Sequence, residues 1–226
     1  MITEARATCK RASPTCGLLE IERQAGGVVA RFPLPASRFP RCASRFPLTP
    51  HRSLRIVAGR WRGRRISAPS GHQVRPTLDR VREAWMSILQ FDIPDARVLD
   101  LYAGSGALGL EALSRGAASA DFVEKDPKSL RALAENIEAL DAADLATIHR
   151  KSVLTFVGAL EAGAYDIVFA DPPYATGDAV RLAERWKEVA FTRVLSIEHS
   201  VRDAMPAGGD TRKYGSTAIT FYRSED

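Results

Sequence analysis

The feature that most constrains the fold is a short apolar run, residues 167–170, that ends at an acid, two prolines and an aromatic residue. The run is partly β-branched, which predicts a buried strand of a parallel sheet. Pro172 and Pro173 have no N–H group to donate to a sheet ladder, so the chain must leave the sheet there in a stiff, extended corner. The strand therefore delivers Asp171 and Tyr174 to the carboxyl edge of the sheet, where ligands of open α/β folds bind.

This corner, residues 171–174, suits an amino group attached to a flat aromatic ring. Asp171 and a backbone carbonyl can accept its two N–H bonds while Tyr174 stacks on the ring. Taken alone, the same residues could equally form a turn in which the aromatic side chain only packs against the protein, since proline pairs commonly mark loops. A second motif upstream favours the ligand site.

The second motif is a glycine-rich turn that follows another predicted strand at residues 98–101. Gly104 and Gly106 allow the backbone to approach a ligand closely, and a helix is expected to follow them. A further predicted strand, residues 121–123, ends in Glu124. A carboxylate about 20 residues beyond such a turn accepts hydrogen bonds from ribose hydroxyls. The two features predict a ligand that carries a ribose.

Residues 104–109 also match the G-x-G-x-x-G fingerprint of dinucleotide-binding enzymes, which is weak evidence on its own. Asp100 argues against a hydride-transferring enzyme, because an acid before the turn can face an ammonium group rather than a pyrophosphate. No second domain that would hold a hydride acceptor is recognisable. The acid before the glycines, the acid after them and the amine-binding corner favour S-adenosylmethionine chemistry.

Positive charge is concentrated in one part of the chain. Residues 53–82 contain eight basic residues and one acid, whereas residues 83–226 contain 15 basic and 23 acidic residues. A local basic strip suits a phosphate backbone, although a solvated face is the commoner outcome. Arginine forks interleaved with Trp61 also suit unstacked bases. The basic strip consists of Arg60, Arg62, Arg64, Arg65, Arg75 and Arg80.

Three parts of the chain differ in composition. Residues 1–52 are rich in Ser, Pro and Arg without a periodic apolar pattern, which predicts a disordered basic tail. A transit peptide and a misassigned start codon, with translation beginning near Leu48 or Leu54, both stay open. We expect a basic β-hairpin extension at 53–76 and an α/β domain at 77–226.

Composition also excludes several classes of protein. No apolar run is long enough to span a bilayer, and the three cysteines, Cys9, Cys16 and Cys42, all lie in the tail. No disulfide framework is expected, and a reducing cytoplasm is the simplest location. The four histidines show no ligand spacing, so we expect no metal.

Residues 100–106 resemble the first motif of class I S-adenosylmethionine-dependent methyltransferases, and the corner at 171–174 resembles their amino-methylating motif. The chain from about residue 54 to its end is similar to the RsmD family, bacterial enzymes that methylate the N2 amine of guanine in 16S ribosomal RNA. The stretches that carry this likeness are 55–64, 75–77 with 80–83, and 103–115.

The resemblance implies a Rossmann-like α/β methyltransferase domain at 77–226, with a seven-stranded, mostly parallel sheet, helices on both faces and an antiparallel last strand. It implies a monomer that acts on 16S rRNA or an assembly intermediate of the small ribosomal subunit. Catalysis would fall to Asp171, Pro172, Pro173 and Tyr174, and RNA binding to the basic strip and Trp61. S-adenosylmethionine would contact Asp100, Tyr102, Ala103, Gly104, Ser105, Gly106, Glu124, Lys125, Ser152 and Asp171.

Some assignments stay open. Ser152 stands where the family usually has Asp or Asn near the adenine. An adenine-N6 methyltransferase could share the corner at 171–174, although no separate target-recognition domain is apparent, and a non-catalytic nucleic-acid-binding protein could keep the fold. Glu198 is interpreted as the end of a strand, because no nucleophile elbow accompanies it.

Overall fold

The computed structural model describes residues 54–68, 76–174 and 176–224, with the backbone alone described for 76–79. The strands are β1 (Leu54–Arg55), β2 (Arg65–Ile66), β3 (Arg97–Leu101), β4 (Ser119–Val123), β5 (Ala146–His149), β6 (Tyr165–Ala170), β7 (Thr192–Ser200), β8 (Asp210–Tyr214) and β9 (Thr217–Arg223). The helices are α1 (Pro76–Ile88), α2 (Ala107–Ser114), α3 (Pro127–Ala139), α4 (Val153–Gly158) and α5 (Asp178–Glu188), with a 3₁₀ turn at Ala143–Leu145.

Seven strands form the central sheet in the order β5-β4-β3-β6-β7-β9-β8. Strands β3 to β7 pair in parallel, and β9 runs antiparallel to both of its neighbours, β7 and β8. The fold is therefore the mostly parallel Rossmann-like sheet that the resemblance implies, with its last strand reversed. None of the described helices is both long enough and apolar enough to cross a bilayer.

The alternation of side chains along the strands builds a core on each face of the sheet. In β6, Ile167 and Phe169 pack with α1, α2 and α3, whereas Val168 and Ala170 pack with α4 and α5. Because successive residues of a strand point to opposite faces, an apolar run without polar interruptions needs helices on both sides. Both layers are present, and they leave the carboxyl ends of the strands free for a site.

The small hairpin of β1 and β2 is held against helix α2. The Glu111 carboxylate, only 1% exposed, accepts the backbone N–H groups of Val57 (2.7 Å) and Ala58 (3.0 Å). The Ser114 hydroxyl donates to the Ala58 carbonyl (2.6 Å) and accepts the Trp61 N–H (3.0 Å). Helix α2 thus satisfies hairpin backbone groups that the two-residue strands leave unpaired.

Burial contradicts the expectation that Trp61 stacks on an RNA base. Its side chain is 7% exposed and belongs to the same core as Ile56 and Ile66 of the hairpin. The Arg60 guanidinium lies 4.0 Å from the centre of the Trp61 ring. Trp61 therefore anchors the hairpin, because a large aromatic ring gains most from burial against apolar neighbours.

The seating of the hairpin on α2 predicts a difference between two glycine variants. Gly59 (φ +80°) has no space for a Cβ, which would overlap the Ser114 carbonyl oxygen, whereas a Cβ on Gly63 (φ +81°) would meet nothing within 4 Å. Both alanine variants lose about 1–2 kcal/mol through left-handed strain. Gly59→Ala should lose a further ~1–3 kcal/mol through overpacking. Urea unfolding of both variants measures this; equal losses would contradict the contact.

Candidate functional site

The carboxyl ends of adjacent parallel strands bring acids and aromatic side chains into one row. Strand β3 pairs in register with β4 and β6, and β6 with β7. Glu124, Tyr102, Asp171 and Glu198, the residues that follow the aligned positions of these four strands, are therefore neighbours across the sheet. All four line a cavity of about 840 Å³.

The glycine-rich turn forms one wall of this cavity. Gly104 and Gly106 adopt positive φ angles of 55° and 78°, and α2 begins directly after Gly106. Asp100, which is buried beneath the turn, accepts the backbone N–H of Gly109 through Oδ2 (2.9 Å). The turn is thereby fixed to the strand that precedes it.

Glu124 connects the ends of β3 and β4. Its Oε2 accepts the Gly104 N–H (2.9 Å), and its Oε1 accepts the N–H groups of Lys125 (2.7 Å) and Asp126 (2.8 Å). A carboxylate offers about four lone-pair sites, so about one remains for a ligand hydroxyl. The position is compatible with the predicted ribose contact.

Tyr102 ties the glycine turn to helix α5. Its backbone has a positive φ of 59°, and its hydroxyl donates to Asp178 Oδ2 (2.9 Å) in the first turn of that helix. Partial burial and the neighbouring Asp178 carboxylate raise the pKa of the Tyr102 hydroxyl. The phenol therefore stays a hydrogen-bond donor at neutral pH and holds the wall in place.

The corner at 171–174 lies beside Glu198, a residue whose role the sequence interpretation missed. The prediction that Glu198 ends a strand is wrong, because β7 continues to Ser200 and Glu198 pairs with Ile219 of β9. Its side chain is 5% exposed and lines the cavity. The Tyr174 hydroxyl donates to Glu198 Oε1 (2.8 Å) and lies 2.8 Å from Thr217 Oγ1. Tyr174 itself remains 47% exposed. No local sequence signal singles out Glu198, because its role depends on the pairing of Ile197 with Ala170 of another strand.

Crowded carboxylates give the site an unusual protonation pattern. Desolvation raises the pKa of Asp100 well above its ordinary range, and the Asp171 and Glu124 charges add to the rise. Desolvation, followed by repulsion from Glu198, raises the pKa of Asp171 to about 7, although Asp171 stays open to the cavity. Desolvation also raises the pKa of Glu198. These acids favour a ligand that brings positive charge or N–H donors.

The other predicted site residues fall into three groups. Ala103, Ser105, Lys125 and Ser152 line the cavity, as do Pro173 and two lysines that were not predicted, Lys128 and Lys151. Arg60, Arg62, Arg64, Arg65 and Arg80 do not line it, but Leu54 of the hairpin and Arg82 of α1 do. Arg75 lies outside the described residues. Within the described ranges, no group of three or more His, Cys, Asp or Glu side chains could hold a metal ion.

Comparison with known proteins identifies relatives over most of the chain. Residues 54–223 match the model of the family described as Conserved hypothetical protein 95. Ribosomal RNA small subunit methyltransferase D of Escherichia coli K12 is 38% identical over 156 residues, which cover 68% of this chain and 78% of that protein. Putative rRNA methyltransferase YlbH of Bacillus subtilis is 30% identical over 181 residues, 75% of this chain and 98% of that protein.

Solved structures agree with the fold. The putative methyltransferase yhhF of Escherichia coli has a TM-score of 0.67 and 35% identity, and covers 76% of this chain and 98% of its own. The Thermus thermophilus 16S rRNA N2 G1207 methyltransferase, solved with AdoMet and guanosine, has a TM-score of 0.56 and 24% identity over 76% of this chain and 50% of its own. The latter likeness shows the fold alone.

The raised pKa of Asp171 predicts a pH-dependent stability. Between about pH 4 and pH 7 the folded protein keeps a proton on Asp171 that the unfolded chain has released, so the free energy of unfolding falls as pH rises through this window. Asp171→Asn removes this contribution and should flatten the decline. Urea unfolding from pH 4 to pH 8 measures it.

Asp166→Asn provides the control with the opposite sign. Hydrogen bonds from Arg97 outweigh the desolvation of Asp166 and lower its pKa. That carboxylate therefore contributes stability above its ordinary pKa and loses it as pH falls. If Asp171→Asn and Asp166→Asn changed the pH profile in the same direction, the protonation pattern described for the cavity would be wrong.

Proposed function

The chain belongs to the RsmD family of ribosomal RNA small subunit methyltransferases, and from that premise we propose that it transfers a methyl group from S-adenosylmethionine to the N2 amine of a guanine in 16S rRNA. The family match and the 38% identity to the Escherichia coli enzyme support methylation of small-subunit rRNA. The observation that carries the amine chemistry is the corner at 171–174, which places an open carboxylate and a half-exposed tyrosine at the edge of a ligand-sized cavity.

The cavity fits the proposed methyl donor in size and in chemistry. Its volume of about 840 Å³ lies within the usual range of ligand pockets, about 300–1,000 Å³. Asp100 suits the positively charged amino group of the donor, and Glu124 suits its ribose. Ser152 lines the same cavity, and its hydroxyl makes no hydrogen bond within the described residues. When bound, S-adenosylmethionine supplies an electrophilic methyl group.

The chain's own residues would prepare the amine. The N2 nitrogen of guanine is a poor nucleophile, because its lone pair is delocalised into the ring. The Asp171 carboxylate lines the cavity and accepts no hydrogen bond from the described residues, so it can accept one of the two N–H groups. We assign the other to the Pro172 carbonyl, which is also unpaired among the described residues; together they would favour a pyramidal nitrogen. Most of the rate gain would come from positioning and electrostatics. After transfer the nitrogen proton is acidic, and Asp171 can take it.

The basic strip gives the RNA a place to lie. Arg62, Arg64 and Arg65 are exposed on the hairpin, and Arg80 is exposed on α1. Leu54 of the same hairpin lines the cavity, so the strip borders the site where the base would enter. We propose that these arginines bind the phosphate backbone while Tyr174 holds a base removed from its stack. The monomeric state and the cytoplasmic location remain predictions.

The first experiment follows labelled methyl from S-adenosylmethionine into small-subunit particles, 16S RNA and DNA, with nucleoside analysis of the product. N2-methylguanosine from particles or RNA is the expected result, and it also identifies the form of the substrate. N6-methyladenine would overturn the assigned base. Measurable cofactor binding without transfer to any substrate would favour the alternative of a non-catalytic nucleic-acid-binding protein with this fold.

Removal of the Asp171 carboxylate should separate catalysis from binding. Asp171→Ala is expected to lower methyl transfer by at least about 100-fold, because the amine loses its principal acceptor. Calorimetric binding of S-adenosylmethionine should be retained. The matched control is Asp166→Ala, which removes an acid from the opposite end of β6 that pairs with Arg97, and which should keep transfer. An active Asp171→Ala variant would contradict the mechanism.

A further inference from the structure

We propose that Glu198 selects guanine, with its Oε2 accepting the ring N1–H of the target base while Asp171 accepts an N–H of the neighbouring N2 amine. The inference deepens the function proposed above and rests on it. It assigns a specificity-determining role to a residue that stands outside the corner motif. The corner at 171–174 could bind the amino group of either guanine or adenine. The proposed role of Glu198 explains how the site would be restricted to guanine.

The placement follows from the pairing of β6 with β7. Ala170 and Ile197 are partners in the parallel register, so Asp171, just past the end of β6, lies beside Glu198, which is still within β7 and pairs with Ile219 of β9. Adjacent strands lie about 4.8 Å apart, which allows two carboxylates to contact two neighbouring donors of one base. Both residues line the same cavity. A base held by Asp171 therefore meets Glu198 with the adjacent part of its edge.

The Glu198 carboxylate is fixed on one side and unsatisfied on the other. Oε1 accepts the Tyr174 hydroxyl at 2.8 Å, whereas Oε2 accepts no hydrogen bond from any described residue. The residue is 5% exposed. Because Oε2 has no donor among the described residues and Glu198 lines the cavity, this oxygen is available to an N–H group of a ligand. Since Asp171 also lacks a donor among the described residues, the cavity presents two adjacent acceptors that repel each other until N–H groups lie between them.

Two adjacent hydrogen-bond acceptors complement the Watson–Crick edge of guanine and disfavour that of adenine. The Watson–Crick edge of guanine presents N1–H and the N2 amine, which are neighbouring donors. The corresponding edge of adenine presents the N6 amine beside N1, a lone-pair acceptor that a carboxylate repels. Hydrogen bonds to charged groups are strong. A site whose carboxylate would be left without a donor therefore binds the base that lacks that donor much more weakly. We therefore expect Glu198 to contribute about 100-fold to the preference for a base with N1–H.

The test uses RNA in which the target guanine, located by mass analysis of nuclease fragments of the methylated RNA, is replaced by 2-aminopurine. This base keeps the 2-amino group but has a lone pair at N1 and lacks O6. The wild-type protein should prefer guanine by about 100-fold or more in kcat/KM. In Glu198→Gln an amide N–H can face the N1 lone pair, so the ratio should fall at least about 10-fold. Any contribution of O6 is shared by both proteins, so the change in ratio isolates the N1 contact.

Tyr174→Phe is the matched control for an indirect role. It removes the hydroxyl that holds Oε1 and leaves the carboxylate, so it should lower transfer to both substrates alike and keep the ratio. If Glu198 acted only by holding Tyr174, the two variants would change the ratio equally, which would overturn the proposal. An unchanged ratio in Glu198→Gln would also overturn it.

A binding measurement covers variants that are too slow to assay. The fluorescence of 2-aminopurine rises when the base leaves its stack, so titration reports entry into the site without turnover. The quantity compared is the ratio of the affinity for 2-aminopurine RNA to the affinity for guanine RNA. This ratio should be at least about 10-fold higher in Glu198→Gln than in the wild type, and a smaller change would count against the proposal. Absence of N2-methylguanosine from the wild-type reaction would refute the proposed function itself, an outcome distinct from an unchanged ratio.

Discussion

The parallel register across β3, β6 and β7 is the constraint on which the site depends. Leu101 aligns with Ala170, and Ala170 with Ile197, so the next residue of each strand meets the next residue of its neighbour, although β7 itself continues to Ser200. Tyr102, Asp171 and Glu198 are far apart in sequence yet lie in one row for this reason. Because side chains alternate along a strand, a shift of one residue in any of these strands would point its side chain in the row toward the opposite face of the sheet. The two apolar cores fix the register, and the register fixes the chemistry.

The same sheet edge explains why several acids gather in one cavity. Desolvation and mutual repulsion oppose the ionisation of these carboxylates, which raises the pKa values of Asp100 and Asp171. Stabilising residues elsewhere, such as the apolar runs of β6 and β7, offset the strain. Functional sites commonly concentrate such unfavourable charge, because a ligand with complementary charge relieves it on binding.

Much of the architecture was readable from the sequence. The apolar runs of β3 and β6, the glycine turn and the proline pair are local signals, and each element was confirmed within a few residues. Helix α4 was not predicted, because Val153–Gly158 is too short to show a period. Trp61 was assigned to RNA from the arginines around it, whereas its burial depends on contacts with a distant helix. Glu198 was overlooked because its meaning comes from a neighbour in another strand.

The contact between the hairpin and α2 has a consequence for any shortened form of this chain. Glu111 is nearly inaccessible to water, and its charge is compensated by two hairpin N–H groups and by Arg115 at 2.9 Å. A chain that began after residue 68 would leave part of that compensation missing and would uncover the apolar surface beneath Trp61. Helix α2 also carries the glycine turn at its start. The hairpin is therefore structurally inseparable from the domain that it precedes, and removal of the basic strip by truncation would damage the ligand cavity as well.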